Sequence, residues 1–222
     1  MIELSSEVKK LGIYLAYATV GEVHVERDRV DVAEYTKRII NEVLERYTLE
    51  SLTRHPIVRA YRRFMWRLGI DPTKVRPSSE ALVRRILRTK SLRNINNVVD
   101  SGNFASIETL VPIGIYDLAK LKPPLLLRYA KRGEHFLPIG GKEEVLKGNE
   151  VVLADSEKIV HIFPHRDSVY SAVSEETKSV LIVSAGVPAV PKQLAIEAVK
   201  KTINYIKVFA SGRKESEVVV VD

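Results

Sequence analysis

Apolar residues recur at helical spacing in the first half of the chain and gather into short runs in the second. Leu11 to Val25 is β-rich, is broken at Gly21, and predicts one or two strands. Asp31 then serves as N-cap of a helix whose apolar stripe is Val32, Tyr35, Ile39, Val43 and Tyr47. Thr53 or His55-Pro56 opens a second helix that stops at Gly69. Asp71-Pro72 makes a turn, and Arg76-Pro77-Ser78-Ser79 opens a third helix through Leu87, capped by Ser78 or Ser79. Asn94 to Glu108 fits a fourth helix, with Ile95, Val98, Val99 and Phe104 turned inward.

After Leu110 the pattern becomes β-like: Leu125–Tyr129, Glu134–Leu137, Val151–Ala154, Ile159–Phe163 and Val180–Ser184. Gly140-Gly141, Gly148-Asn149 and Asp155-Ser156 punctuate these runs. A helix over 191–209 follows, with Leu194, Val199, Ile203 and Ile206 available for burial, and Val218–Val221 predicts a last strand. Helices first and strands second predict an α+β class. One domain over 1–222 is expected, because 1–50 is too small to hold a core alone.

Charge changes this picture in one place. Residues 54–93 carry ten Arg and two Lys against Asp71 and Glu80 alone, in a chain of net charge +7. The rest of the chain is therefore slightly acidic, and the positive field is local. Apolar residues at helical spacing run through the same block, so its cations form a fixed patch on folded helices. A pair of solvated helix faces would satisfy this pattern. So would a face for RNA or another phosphate-bearing partner, and the excess of Arg over Lys favours that, because the planar guanidinium fork suits phosphate and stacks on bases. The candidate RNA contacts are Arg59, Arg62, Arg63, Arg67, Arg84, Arg85 and Arg88.

Other chemistry is limited. Cysteine is absent, which removes disulfides, zinc–thiolate sites and thiol nucleophiles. No apolar run reaches the ~18 residues of a membrane span, and the start, MIELSSEVKK, does not read as a secretory signal. A cytoplasmic protein without membrane contact is expected. No Walker A, G-x-G-x-x-G or G-x-S-x-G pattern occurs, so no cofactor is expected. His161 and His165 sit in a β-like segment with Pro164 between them, too far apart for easy joint coordination, and no metal is expected.

The segments GIDPTKVRPSSEALVRRIL, INNVVDSGNFASIETLVPIGIYDL, LLLRYAKRGEHFLPIGG, GNEVVLAD and SEETKSVLIVSAG occur in that order across roughly residues 55–187. In this series the chain resembles the B3/B4 domain of the phenylalanyl-tRNA synthetase β subunit, especially its free-standing relatives. The resemblance implies a β-sandwich-like core flanked by helices, a tRNA or aminoacyl-tRNA partner, and hydrolysis of wrongly charged tRNA. It also implies two departures. The position matching Gly114 commonly carries a histidine associated with editing, and the position matching Val183 a glutamate that helps select tyrosine.

The matched segments supply the candidate pocket: Asn103, Pro112, Gly114, Tyr116, Asp117, Gly140, Gly141 and Ser168. Asp100 and Asn103 share a helix face and read either a ligand or a cap. Arg76, Ser78, Ser79 and Glu80 form a polar cluster at a helix start, fit either for an anion or for capping. The His165-Arg166-Asp167-Ser168 loop offers Asp167 or Ser168 to orient a water or an amino acid. All five histidines (His24, His55, His135, His161 and His165) are expected away from the Gly114 position, so no catalytic residue is assigned. An adaptor that binds RNA without catalysis, or a binder of an amino-acid-like small molecule, remains open beside trans editing. The oligomeric state is not legible.

Overall fold

The computed structural model describes residues 2–222. The elements run β1 (Ile2–Leu4), α1 (Ser6–Lys9), β2 (Tyr14–Gly21), α2 (Val30–Arg46), α3 (Leu49–Arg54), α4 (Pro56–Arg67), α5 (Ser78–Thr89), α6 (Asn97–Thr109) and β3 (Ile113–Asp117). They continue with β4 (Leu125–Tyr129), β5 (His135–Phe136), β6 (Glu144–Val145), β7 (Val151–Ala154), β8 (Ile159–Ile162), β9 (Arg166–Asp167), β10 (Val180–Gly186), α7 (Lys192–Ala210), β11 (Arg213–Lys214) and β12 (Val219–Val221).

One sheet has the order β1-β4-β7-β8-β9, and the other β11-β2-β10-β3, with β12 also paired to β2. The sheets face each other across an apolar layer. Leu15, Tyr116, Leu181 and Val183 come from the second sheet, and Leu127, Leu153, Val160 and Phe163 from the first. Each such side chain contributes about 1.5–3 kcal/mol relative to exposure. The other face of β2 and β10 is covered by α7, through Ala195, Val199, Ile203 and Ile206. The class is α+β, a β-sandwich-like core with flanking helices. Every residue of β2 and of β10 is buried, which is why both read as continuous apolar runs and not as alternating ones.

The helices pack at one end around Val32, Ile39, Val83, Ile86, Phe104 and Phe209. Helix α6 is buried on nearly every side and lies between this cluster and β3. Asn96 caps it, its side chain accepting from the Val99 N–H at 2.8 Å. Gly102 lets it come close to the sheet, since a Cβ there would lie 2.7 Å from Ile115 Cδ1. Helix α4 has Pro56 in its first turn, and His55 caps it by accepting from the Ile57 N–H. Fully buried Tyr61 donates to the Ala185 carbonyl at 2.5 Å and ties α4 to β10.

Two capping expectations are corrected. Helix α2 begins at Val30 with Arg29 in the cap position, and Asp31 lies inside the first turn, paired with the Arg29 guanidinium. Helix α5 has Pro77 in the cap position without a side-chain cap, and Ser79 instead donates to the buried Leu110 carbonyl at 2.9 Å. The expected inward Ile95 is exposed, because α6 starts two residues after it.

Candidate functional site

Between the two sheets lies a cavity of about 20 Å³, lined by Ser78, Pro112, Gly114, Tyr116, His161, His165, Asp167 and Val183, with apolar side chains behind them. It shares the wall formed by Ile113, Tyr116 and Asp167 with a groove of about 240 Å³. Val99, Ile115, Ile139 and Val173 line that groove with Asn103 and Ser168.

Strand β3 sets the shared wall. Its alternation turns Gly114 and Tyr116 toward the first sheet and Ile115 toward α6. The Tyr116 ring folds back over Gly114, so that a Cβ on residue 114 would lie 2.0 Å from its hydroxyl. Burial first, then the neighbouring Asp167 carboxylate, holds that hydroxyl well above the usual phenol range.

The opposite wall is the β8–β9 hairpin. Its register pairs His161 with Asp167, and His161 Nδ1 lies 2.8 Å from Asp167 Oδ1. His165 lies in the connecting turn and faces the same cavity. Burial, with His161 and Arg166 adding to it, pushes His165 down to about 3, so the ring is neutral. Its Nδ1 is buried and has no partner among the described residues. The expected separation of all five histidines from Gly114 is thereby corrected. His161 and His165 share its cavity, brought there by a hairpin that reverses at Phe163-Pro164.

A second concavity, about 420 Å³, lies on α5 and the turn before it, lined by Lys74, Arg76, Arg84, Arg85 and Arg88. Beneath it Glu80 is completely buried. Arg62 grips both its carboxylate oxygens, with Nε at 2.9 Å, and Arg76 and Arg84 stand 3.8 Å away. Three guanidiniums therefore crowd one carboxylate. Burial, then Arg76, pushes Arg84 below the usual arginine range, and Arg76 Nε and Arg84 Nε are buried without partners among the described residues. Such a cluster favours a further anion.

Residues 60–212 match the family model of the B3/4 domain. The chain belongs to the B3/4 domain family. Among curated proteins, this B3/4 chain is 31% identical over 156 residues to a phenylalanine–tRNA ligase beta subunit of Fusobacterium nucleatum, covering 70% of this chain and 18% of that protein. It is 37% identical over 118 residues to the same subunit of Protochlamydia amoebophila, covering 52% of this chain and 14% of that one. It thus spans less than a fifth of the curated relatives it matches. A crystal structure of an N-terminal fragment of the phenylalanyl-tRNA synthetase beta-subunit from Pyrococcus horikoshii superposes with a TM-score of 0.53 at 16% identity, covering 100% of this chain and 50% of that one. That likeness concerns the fold.

Within the B3/4 fold the candidate residues divide. Pro112, Gly114 and Tyr116 line the cavity, and Asn103 and Ser168 the adjoining groove. Asn103 also donates to Asp100 at 3.4 Å, and both Asp100 oxygens accept from the Ile95 N–H, so Asp100 serves the entry to α6. Three candidates lie elsewhere. Asp117 is buried at the far end of β3, where it accepts from Thr177 Oγ1 and the Ala119 N–H. Gly140 and Gly141 belong to the turn after Pro138, and of that loop it is Ile139 that reaches the groove.

The helix-start cluster divides too, since Ser78 lines the cavity while Glu80 and Ser79 are internal. Arg62 is corrected as a free RNA contact, because its guanidinium is committed to Glu80. Arg59, Arg63, Arg67, Arg85 and Arg88 are exposed and have no ion-pair partner among the described residues. No helix among those residues is long and apolar enough to cross a membrane.

Proposed function

We propose that this B3/4 protein binds tRNA and acts in trans on its aminoacyl end, hydrolysing the ester of a mischarged tRNA. One observation carries the reading. The basic concavity and the cavity between the sheets both draw on the start of α5, where Arg76 lines the first and Ser78, two residues on, lines the second. A polyanion held along α4 and α5 would bring a strand end to the mouth of the cavity. The unpaired arginines supply sequence-independent affinity for phosphates, and an aminoacyl ester needs little beyond a positioned water and a polarised carbonyl. The names of the curated relatives agree with a role beside tRNA.

A second reading rests on Gly114 and Val183. Neither side chain transfers a proton, which favours an RNA-binding module that kept the fold and lost the chemistry. Filter binding of tRNA over a salt series tests the first half of the proposal, and affinity is expected to fall steeply as salt rises. Salt-independent binding, or none, overturns it. Deacylation of a panel of mischarged tRNAs tests the second half, and binding without hydrolysis above background leaves the module reading in its place.

A further inference from the structure

We infer that His161, held by Asp167, is a general base that activates one water in the cavity against an aminoacyl ester whose apolar side chain lies in the adjoining groove. The inference rests on the tRNA-end reading above and names the groups that would do its chemistry.

The geometry begins in the hairpin. The 2.8 Å contact to Asp167 makes His161 Nδ1 the donor, which leaves a lone pair on Nε2. Nε2 has no hydrogen-bond partner among the described residues. The ring is held edge-on by Phe163, with centroids 6.5 Å apart, and by Tyr116 at 6.3 Å. A base needs this combination of a fixed tautomer, a free nitrogen and a ring that cannot turn.

The cavity itself fits water. Its volume of about 20 Å³ exceeds the roughly 10–15 Å³ that one water requires. His165 Nδ1 faces the same space, buried and unpartnered. A buried ring nitrogen left without a partner costs about 1–3 kcal/mol, and a water between the two imidazoles would satisfy it. The groove on the far side of Tyr116 and Asp167 is much larger and mostly apolar, with Val99, Ile115 and Val173 in its walls. A carbonyl carbon at the shared wall would sit between the water and an apolar substituent.

The step balances without a cofactor. The water oxygen attacks the ester carbonyl carbon as His161 Nε2 takes its proton. The bond from that carbon to the terminal ribose oxygen then breaks, and Nε2–H returns the proton to the ribose oxygen. The products are a free amino acid and a tRNA with its terminal hydroxyl restored. His161 is the catalytic residue and Asp167 a positioning residue.

The test uses the full chain with two probes: tRNA charged in turn with valine, isoleucine, aspartate or lysine, and the small ester valyl-adenosine, which does not need the basic face. His161→Gln should lower kcat roughly 10²–10⁴-fold and leave KM and tRNA retention on filters within about threefold. Asp167→Asn should lower kcat by up to about 10⁴-fold, again without moving KM. Should His161→Gln fail the thermal-unfolding check, Asp167→Asn carries the test. Valyl and isoleucyl esters should be hydrolysed at least tenfold faster than aspartyl and lysyl ones. Wild-type hydrolysis that persists in both variants overturns the dyad and spares the tRNA reading. Retention of tRNA with neither probe hydrolysed also overturns the dyad. Hydrolysis of valyl-adenosine without tRNA retention supports the dyad and removes the tRNA reading.

Discussion

Gly114 of β3 stands directly opposite Val183 of β10 in the antiparallel register, and both line the cavity between the sheets. These are the two positions at which the resemblance to the synthetase domain implies a histidine and a glutamate. Because the two are cross-strand neighbours, a change at one alters the surroundings of the other. The space a side chain at 114 would take is filled by the Tyr116 hydroxyl, and the imidazoles of the cavity come from the β8–β9 hairpin across from it.

Gly114→Ala should therefore be costly although alanine is small. Its Cβ would lie 2.0 Å from the Tyr116 hydroxyl, so the ring must leave its place beside Asp167. A loss of about 1–3 kcal/mol is expected, as for overpacking. In a Tyr116→Ala background the same substitution should cost under about 0.5 kcal/mol, since the obstacle is gone. A double-mutant cycle by chemical denaturation measures this coupling. Additive effects would show that Tyr116 does not occupy that space.

The arginines should separate into two classes. Arg62→Ala leaves Glu80 buried without its bidentate partner, and a loss of about 3–5 kcal/mol is expected. Arg59→Glu, Arg63→Glu and Arg67→Glu sit on exposed positions of α4. They should change stability little and weaken tRNA binding together. Unfolding midpoints beside filter-binding isotherms check both halves. An Arg62→Ala protein as stable as wild type would contradict the Glu80 assignment.

The contrast between these arginines shows what the chain reveals before it folds. Long periodic segments were legible: the stripe of Val32, Ile39 and Val43 is the buried face of α2, and β4 and β7 fall on the predicted residues. Strand β3 was not read as a strand, because Pro112 and Gly114 interrupt its alternation and Tyr116 fills the gap that Gly114 leaves. Arg62 and Glu80 are eighteen residues apart on different helices, so no local rule pairs them. His161 and Asp167 pair through a two-residue strand after a turn at Pro164, and register of that kind is fixed by tertiary packing. Residues of the cavity wall were nameable one at a time, while the contacts between them were not.

Two buried groups should give stability an opposed pH dependence. His165 is pushed down to about 3 from 6.5. Between these values the unfolded chain binds the proton that the folded one refuses, so this contribution falls as pH falls from 6.5 toward 3. Asp100 is pushed up to about 6 from 3.8, mainly by burial. The folded state takes that proton first, so its contribution rises as pH falls through the same region. His165→Gln should therefore flatten or reverse the loss of stability between pH 6.5 and 4, and Asp100→Asn should steepen it. Denaturation midpoints at half-unit pH steps read both. A His165→Gln profile parallel to wild type would mean that the ring is charged in the fold.

The chain's one tryptophan supplies the most direct report on the basic face. Trp66 is 57% exposed and follows Arg59 by seven residues and Arg63 by three, which puts all three on one side of α4. An exposed aromatic among unpaired arginines is a stacking platform for an unpaired base, a contact worth about 1–3 kcal/mol. Binding of tRNA should therefore quench Trp66 fluorescence, and added salt should restore it along the same curve that filter binding gives. Trp66→Ala should weaken binding by about thirtyfold, the middle of that range. The slope of log affinity against log salt should not change, because no charge has been removed. Arg63→Gln should do the converse, reducing that slope by about 0.7–0.9 while leaving the quench at saturation intact. If tRNA binds with Trp66 emission unaltered, the RNA lies on another surface and the path from α4 to the cavity mouth is wrong.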